Sequence, residues 1–234
     1  MERPKFITDE VYHVYCRGVE KRQIFMKGKD YLRAIHDLFE FNDTHPAQSF
    51  YNHVNKSSEV RLQKMESRIK RELMVEILCF CFMPNHYHLL LRQKIEGGIT
   101  EFMRKFGTGY TNFFNIKYNR VGPLFQGKFK AVHVVRQAHL LYLPHYIHLN
   151  PLDLSMPEWR EKRIRNIYGA LKVLENYRWS SYLDYWGKKN FPSITQRDFF
   201  VEIYGSPTSI DYRGEVRRWL ESLDFVALEG VMLD

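Results

Sequence analysis

The sequence predicts an α+β fold: a split βαβ antiparallel sheet with helices on one face, followed by a helical appendage at the C-terminus. Three observations predict it. Strand-type and helix-type patterns alternate in the order strand, helix, strand, strand, helix, strand, then a further helix. Two adjacent strand-type runs flank Pro84-Asn85, a turn signal that makes them a hairpin. The helical pattern that closes the series meets Pro151, which disfavours helical dihedrals at Asn150.

Residues 11–18 (VYHVYCRG) are rich in β-branched and aromatic side chains and stop at glycine, as a strand does. Residues 30–41 place Leu32, Ile35, Leu38 and Phe39 at helical spacing. Residues 73–83 are almost unbroken apolar sequence with one charge, Glu76, and residues 86–92 form the second arm of the hairpin. Residues 99–118 line up Phe102, Phe106, Tyr110 and Phe113 along one helical stripe, which residues 120–122 break. Residues 124–134 alternate as a strand, and residues 137–149 read as a helix. The first six elements give the βαββαβ order of ferredoxin/RRM-like sheets.

Two stretches fall outside this pattern. Residues 44–72 separate the first helix from the hairpin; Leu62, Met65, Ile69 and Leu73 make an apolar stripe beside a basic one of Arg61, Lys64, Arg68 and Arg71. An amphipathic surface helix with solvated charges accounts for both. After Trp186 the chain carries a helical pattern at 213–223 and an acidic tail (Asp224, Glu229, Asp234). The expected organisation is thus a domain over 1–187, interrupted at 44–72, and an appendage over 188–234.

Composition narrows the function. The chain has 234 residues, with 35 Lys and Arg against 27 Asp and Glu, a formal charge of +8. That balance favours a polyanionic partner, although solubility alone can produce it. At 44% hydrophobic and 15% aromatic the chain builds a core, which excludes general disorder. Three cysteines are too few for a disulfide framework and fit a reducing, cytoplasmic location. The polar N-terminus is unlike a signal peptide, and no apolar run reaches membrane-span length.

His86-Tyr87-His88 is the sharpest chemical signal. On a strand, residues two apart leave the same face, so both imidazoles can approach one divalent ion. A third ligand must come from another element. In Tyr146-Ile147-His148-Leu149-Asn150-Pro151, a helix brings Tyr146 and Asn150 to one side. The Asn150 amide oxygen can join the imidazoles, with Tyr146 one turn away; core packing and helix capping explain the same pair in isolation. His145 and His148 fall on other helical faces and read as surface histidines. In the stretch from Arg120 to Lys130, Gln126, Lys128 and Lys130 share one extended face, opposite Phe125 and Phe129. The basic face can track a phosphate backbone. Tyr177-Arg178-Trp179-Ser180-Ser181-Tyr182, with Tyr185-Trp186-Gly187, marks an aromatic cluster packed on something.

Taken in order, MPNHYHLLL, GxxYTNFFNxKYNRxGPLFQGKFK, YIHLNP and WSSYxxYxG resemble the single-tyrosine transposases of the His-hydrophobe-His superfamily, above all the REP-associated group related to small insertion-sequence transposases. The resemblance spans roughly residues 11–187. It implies Tyr146 as nucleophile, His86, His88 and Asn150 as metal ligands, and magnesium or manganese as cofactor. It also implies a partner of single-stranded DNA folded into hairpins, cut without ATP through a 5′-phosphotyrosine link. Arg120, Gln126, Lys128 and Lys130 are the expected DNA contacts. Both monomers and homodimers fit the family. Residues 44–72 are longer than the family leads one to expect, and no family motif lies beyond Trp186.

Two rivals stand beside this reading. One is a nucleic-acid-binding regulator that kept the sheet and lost the chemistry. The other is a structural zinc site of Cys79, Cys81, His86 and His88.

Overall fold

The computed structural model describes residues 3–45, 71–161, 164–200 and 211–222. Four strands form one sheet: β1 (Val11–Arg17), β2 (Val75–Met83), β3 (His86–Gln93) and β4 (Lys130–His133). Their spatial order is β2-β3-β1-β4, and every neighbouring pair is antiparallel. Helix α1 (Gly28–Glu40) links β1 to β2, and α2 (Gly98–Lys117) links β3 to β4. This is the expected split βαβ sheet.

Period-two alternation decides which side chains go where. Tyr12, Val14 and Cys16 of β1 and Tyr87, Leu89 and Leu91 of β3 enter one apolar cluster with Ile35 and Leu38 of α1 and Phe102, Phe106 and Tyr110 of α2. Both crossover helices therefore cover the same face. β2 carries a bulge between Ile77 and Cys79. Two successive residues, Leu78 and Cys79, consequently point to the opposite face, and alternation resumes beyond them.

The opposite face is covered as well. Helix α3 (Gln137–Leu149) lies on it, followed by short 3-10 turns at Asn150–Leu154 and Pro157–Glu161. Helix α4 (Ile167–Asn176) and helix α5 (Tyr212–Ser222) add Leu171, Leu174, Val216 and Trp219 to the cluster that holds Leu90, Leu143, Tyr146 and Ile147. α3 is thus enclosed on several sides, so His145 and His148 are buried, 5% and 0% exposed, not surface residues. Helical periodicity within α3 carries no information about α5, which arrives more than sixty residues later. His148 satisfies both ring nitrogens, Nδ1 with the Tyr212 hydroxyl at 2.6 Å and Nε2 with the Ser181 hydroxyl at 2.7 Å.

The aromatic cluster that follows α4 packs on the outer edge of β2. The Phe82 amide donates to the Trp179 carbonyl at 2.9 Å, and the Ser181 amide to the Phe80 carbonyl at 3.0 Å. An edge that would otherwise present unpaired backbone groups is covered.

Three local expectations are revised. Leu32 is 46% exposed, because α1 turns Tyr31, Ala34, Ile35 and Leu38 inward and Leu32 falls outside that arc. The strand expected over 124–134 is regular only at Lys130–His133; Gly127 adopts φ 128°, which breaks the extended run before it. Arg71 is no solvated charge: its guanidinium lies 3.8 Å over the Phe39 ring and donates to the Asn42 carbonyl at 3.1 Å. The rest of the amphipathic stripe from Arg61 to Ile69 lies outside the described residues, as does the acidic tail. Among the described residues no helix is long and apolar enough to cross a membrane.

Candidate active site

The sheet face beneath α3 is apolar at its margins and polar in the middle. There β1 presents His13, Tyr15 and Arg17, and β3 presents His86 and His88. The register pairs Tyr15 with His88 and Arg17 with His86. The two rings of the His-x-His pair lie 5.0 Å apart, nearly perpendicular. α3 brings Tyr146 onto the same patch, its ring 6.0 Å from His88 and 6.2 Å from His13. Asn150, one turn on, donates back to the Tyr146 carbonyl at 2.9 Å, so its amide nitrogen faces the helix. Its oxygen faces the patch, within hydrogen-bonding reach of His86. The structure thus gathers Tyr146, His86, His88 and Asn150 on one face.

Burial and charge keep both imidazoles neutral. Burial, with Arg17 and Arg160 nearby, pushes His86 down to about 4. Burial also holds His88 well below the usual histidine range, helped by His86 and His13. The His86 Nδ1–H donates to the Asn85 side-chain oxygen at 2.6 Å, which leaves the Nε2 lone pair for another partner. His88 Nδ1 shares a proton with His13 Nε2 at 3.0 Å. The donor set fits a divalent cation: two neutral imidazoles and a carboxamide oxygen. An outer imidazole on one ligand and an amide on the other would fix the ring orientations.

Two groups that sequence reasoning missed complete the site. His13 shares the face of Tyr15 by simple alternation, yet nothing in its neighbourhood singles it out. Arg160 sits in the second 3-10 turn, fourteen residues past Tyr146, where no periodic pattern signals it. Its guanidinium grips Asp153 with bonds of 2.8 and 2.7 Å, while Trp159 Nε1 donates to the same carboxylate at 2.6 Å. It also donates to the Tyr146 hydroxyl at 3.4 Å and to Asn150 Oδ1 at 3.2 Å. Burial alone would lower the Arg160 pKa, but its bonds to Asp153 and Tyr146 outweigh that and raise it.

The expected DNA contacts divide. Lys130 pairs with Tyr15 and lies 5.9 Å over its ring, at the sheet edge beside the polar patch. Gln126, Lys128 and Lys130 are exposed, with Phe125 and Phe129 packed against the core. Arg120 is half-buried and donates to Asn115 Oδ1 at 2.8 Å and to the Pro123 carbonyl at 3.4 Å. The cysteine-histidine zinc site does not form: among the described residues no three His, Cys, Asp or Glu side chains are placed to hold a metal ion. Cys79 pairs with Leu90 and both cysteines enter the apolar cluster, where burial pushes their thiols well above the ordinary range.

Residues 47–150 match the family profile described as "Transposase IS200 like", a span that includes β2, β3, α2, β4, α3 and Asn150. Over that span, less than half of the chain, the sequence is similar to the IS200-like transposases. One solved structure, described as that of "the REP associates tyrosine transposase bound to a REP hairpin", aligns with 66% of this chain and 74% of its own. Its identity is 13% and its TM-score 0.40. No curated protein matches the chain.

Proposed function

We propose that this chain is an IS200-like transposase that cuts and rejoins single-stranded DNA at hairpin-associated sites, with Tyr146 as the attacking group. One observation carries the reading: the Tyr146 ring stands over the His88 ring at 6.0 Å, with Asn150 one turn further on the same face. A phenol, two neutral imidazoles and an amide oxygen converge there although they come from separate elements.

The reaction is a transesterification. The Tyr146 oxygen bonds to the phosphorus, the bond from phosphorus to the 3′-oxygen breaks, and the phenol's proton ends on that 3′-hydroxyl. The number of phosphodiester linkages is unchanged, so the reverse attack rejoins strands without ATP. A protonated phenol is a weak nucleophile, so the site must stabilise developing charge.

His86 Nε2, His88 Nε2 and Asn150 Oδ1 would hold magnesium or manganese. Such an ion, when bound, polarises a phosphate oxygen and stabilises the leaving oxygen. For His88 to offer Nε2, its Nδ1–H donates to His13, so His13 sets the orientation of that ligand. Asn150 Oδ1 accepts from Arg160 with one lone pair and has a second that faces His86. Lys128, Lys130 and Gln126 would follow the DNA backbone beside the patch, with Arg120 shaping the loop that presents them. Residues 1–187 form the catalytic unit on this reading, with 44–72 inserted and 188–234 appended.

The test is a denaturing gel with labelled hairpin oligonucleotides taken from the flanks of this gene, in manganese. Wild-type protein should give a covalent protein–DNA adduct. Tyr146→Phe should bind the oligonucleotide within about threefold of wild type and give none. An adduct that persists in Tyr146→Phe would remove this tyrosine as nucleophile.

A further inference from the structure

We propose that Arg160 is a catalytic residue of this site, holding the Tyr146 oxygen and the scissile phosphate together during attack. The proposal rests on the assignment of Tyr146 as nucleophile.

The geometry separates the anchoring of this side chain from its reach. Nε and one Nη2 hydrogen go to Asp153 with short bonds of 2.8 and 2.7 Å. Asp153 is itself fixed by Trp159 Nε1 at 2.6 Å. That clamp settles where the guanidinium plane lies. The remaining contacts, Nη1 to the Tyr146 hydroxyl at 3.4 Å and Nη2 to Asn150 Oδ1 at 3.2 Å, are long. They are weak enough for a phosphate oxygen to replace or share them, and a guanidinium fork suits two phosphate oxygens.

A purely structural Arg160–Asp153 pair would not need this aim. The side chain is about one-third exposed, so water could satisfy its outer nitrogens. Nη1 points instead at the one hydroxyl that must lose a proton, and Nη2 at Asn150 Oδ1.

Arg160 stays a cation throughout, so it takes no proton. As the Tyr146 oxygen bonds to phosphorus and the 3′-oxygen departs, negative charge moves from the phenol oxygen onto the phosphoryl oxygens. Nη1 and Nη2 face both positions. Preorganised donors of this kind lose about 10²–10³ in rate when one is removed.

The experiment measures single-turnover adduct formation by the full chain on the same labelled flank-derived hairpins. R160A should slow the adduct about 100-fold while oligonucleotide affinity changes less than fivefold. R160K should recover part of that loss, and 20 mM guanidinium chloride should accelerate R160A at least fivefold without accelerating wild type. Guanidinium rescue is a readout that loss of packing cannot produce. R160A within threefold of wild type would overturn the proposal. So would a slow R160A that neither guanidinium nor the lysine variant improves, because that marks a structural side chain. Y146F separates the two readings: its adduct should be absent with or without guanidinium, and an adduct there defeats the nucleophile assignment, whatever Arg160 does.

Discussion

His13 occupies an interior position where a mistake is costly. It is fully buried, and its Nε2 is the partner of His88 Nδ1 at 3.0 Å. Replacing it with leucine takes that partner away from the buried His88 nitrogen. An unpaired buried polar group costs about 1–3 kcal/mol. His13→Leu should therefore lower unfolding free energy by that amount in urea titrations, and a loss below 0.5 kcal/mol, on the order of measurement error, would show that His88 finds another partner. The same residue shows what a sequence reveals. His86 and His88 were legible because they sit two apart on one strand, and strand alternation alone makes them neighbours. His13 obeys the same alternation two strand positions before Tyr15, but its meeting with His88 depends on the register of β1 against β3. Arg160 was less legible still. It is placed by a 3-10 turn whose position follows from Asp153 and Trp159, and no repeating pattern encodes that turn.

At the scale of elements, α3 presents the residues of the site and is itself enclosed by α5. His145, beside Tyr146, stacks on Tyr212 at 5.0 Å, and its Nδ1 has no hydrogen-bond partner among the described residues. Glu215 lies 4.0 Å from Nε2, too far for a hydrogen bond, and burial raises that carboxyl's own pKa. Burial pushes His145 down to about 4. The unfolded chain titrates this group near 6.5, so between those values it binds a proton that the folded protein refuses. Stability then rises with pH: His145 contributes fully above about 6.5 and loses its contribution progressively down to about 4. A shift of that size is worth at most about 3 kcal/mol. His145→Phe keeps the ring stack and removes the titration. Denaturation at pH 7 and pH 4.5 should show the variant gaining on wild type at the lower pH, and parallel pH dependences would refute the assignment. Helix α3 was placed by its own pattern and by Pro151, end to end. Its enclosure was not, because α5 is distant in sequence and its contacts are tertiary.

Across the whole molecule, the +8 charge reads as a binding property only where it is presented. Among the described residues several cations are paired: Arg33 with Asp37, Arg92 with Glu76, Lys94 with Asp9, Lys117 with Asp30 and Arg213 with Glu175. Lys128 and Lys130 are exposed on the segment leading into the edge strand, next to the polar patch. A strand of DNA that reaches Tyr146 across that edge must pass them. Neutralising a phosphate on a single strand releases counterions and contributes about −0.7 to the slope of log K against log salt. Lys128→Gln with Lys130→Gln should weaken oligonucleotide binding and make that slope shallower by about 0.7 for each charge lost. The comparison belongs between about 50 and 200 mM salt, where such losses are largest. The adduct rate at saturating oligonucleotide should hold within threefold, since neither lysine touches the reacting atoms. An unchanged slope would mean that the backbone enters from another side of the sheet, most directly past Arg17 and the hairpin turn at Asn85, which flank His86.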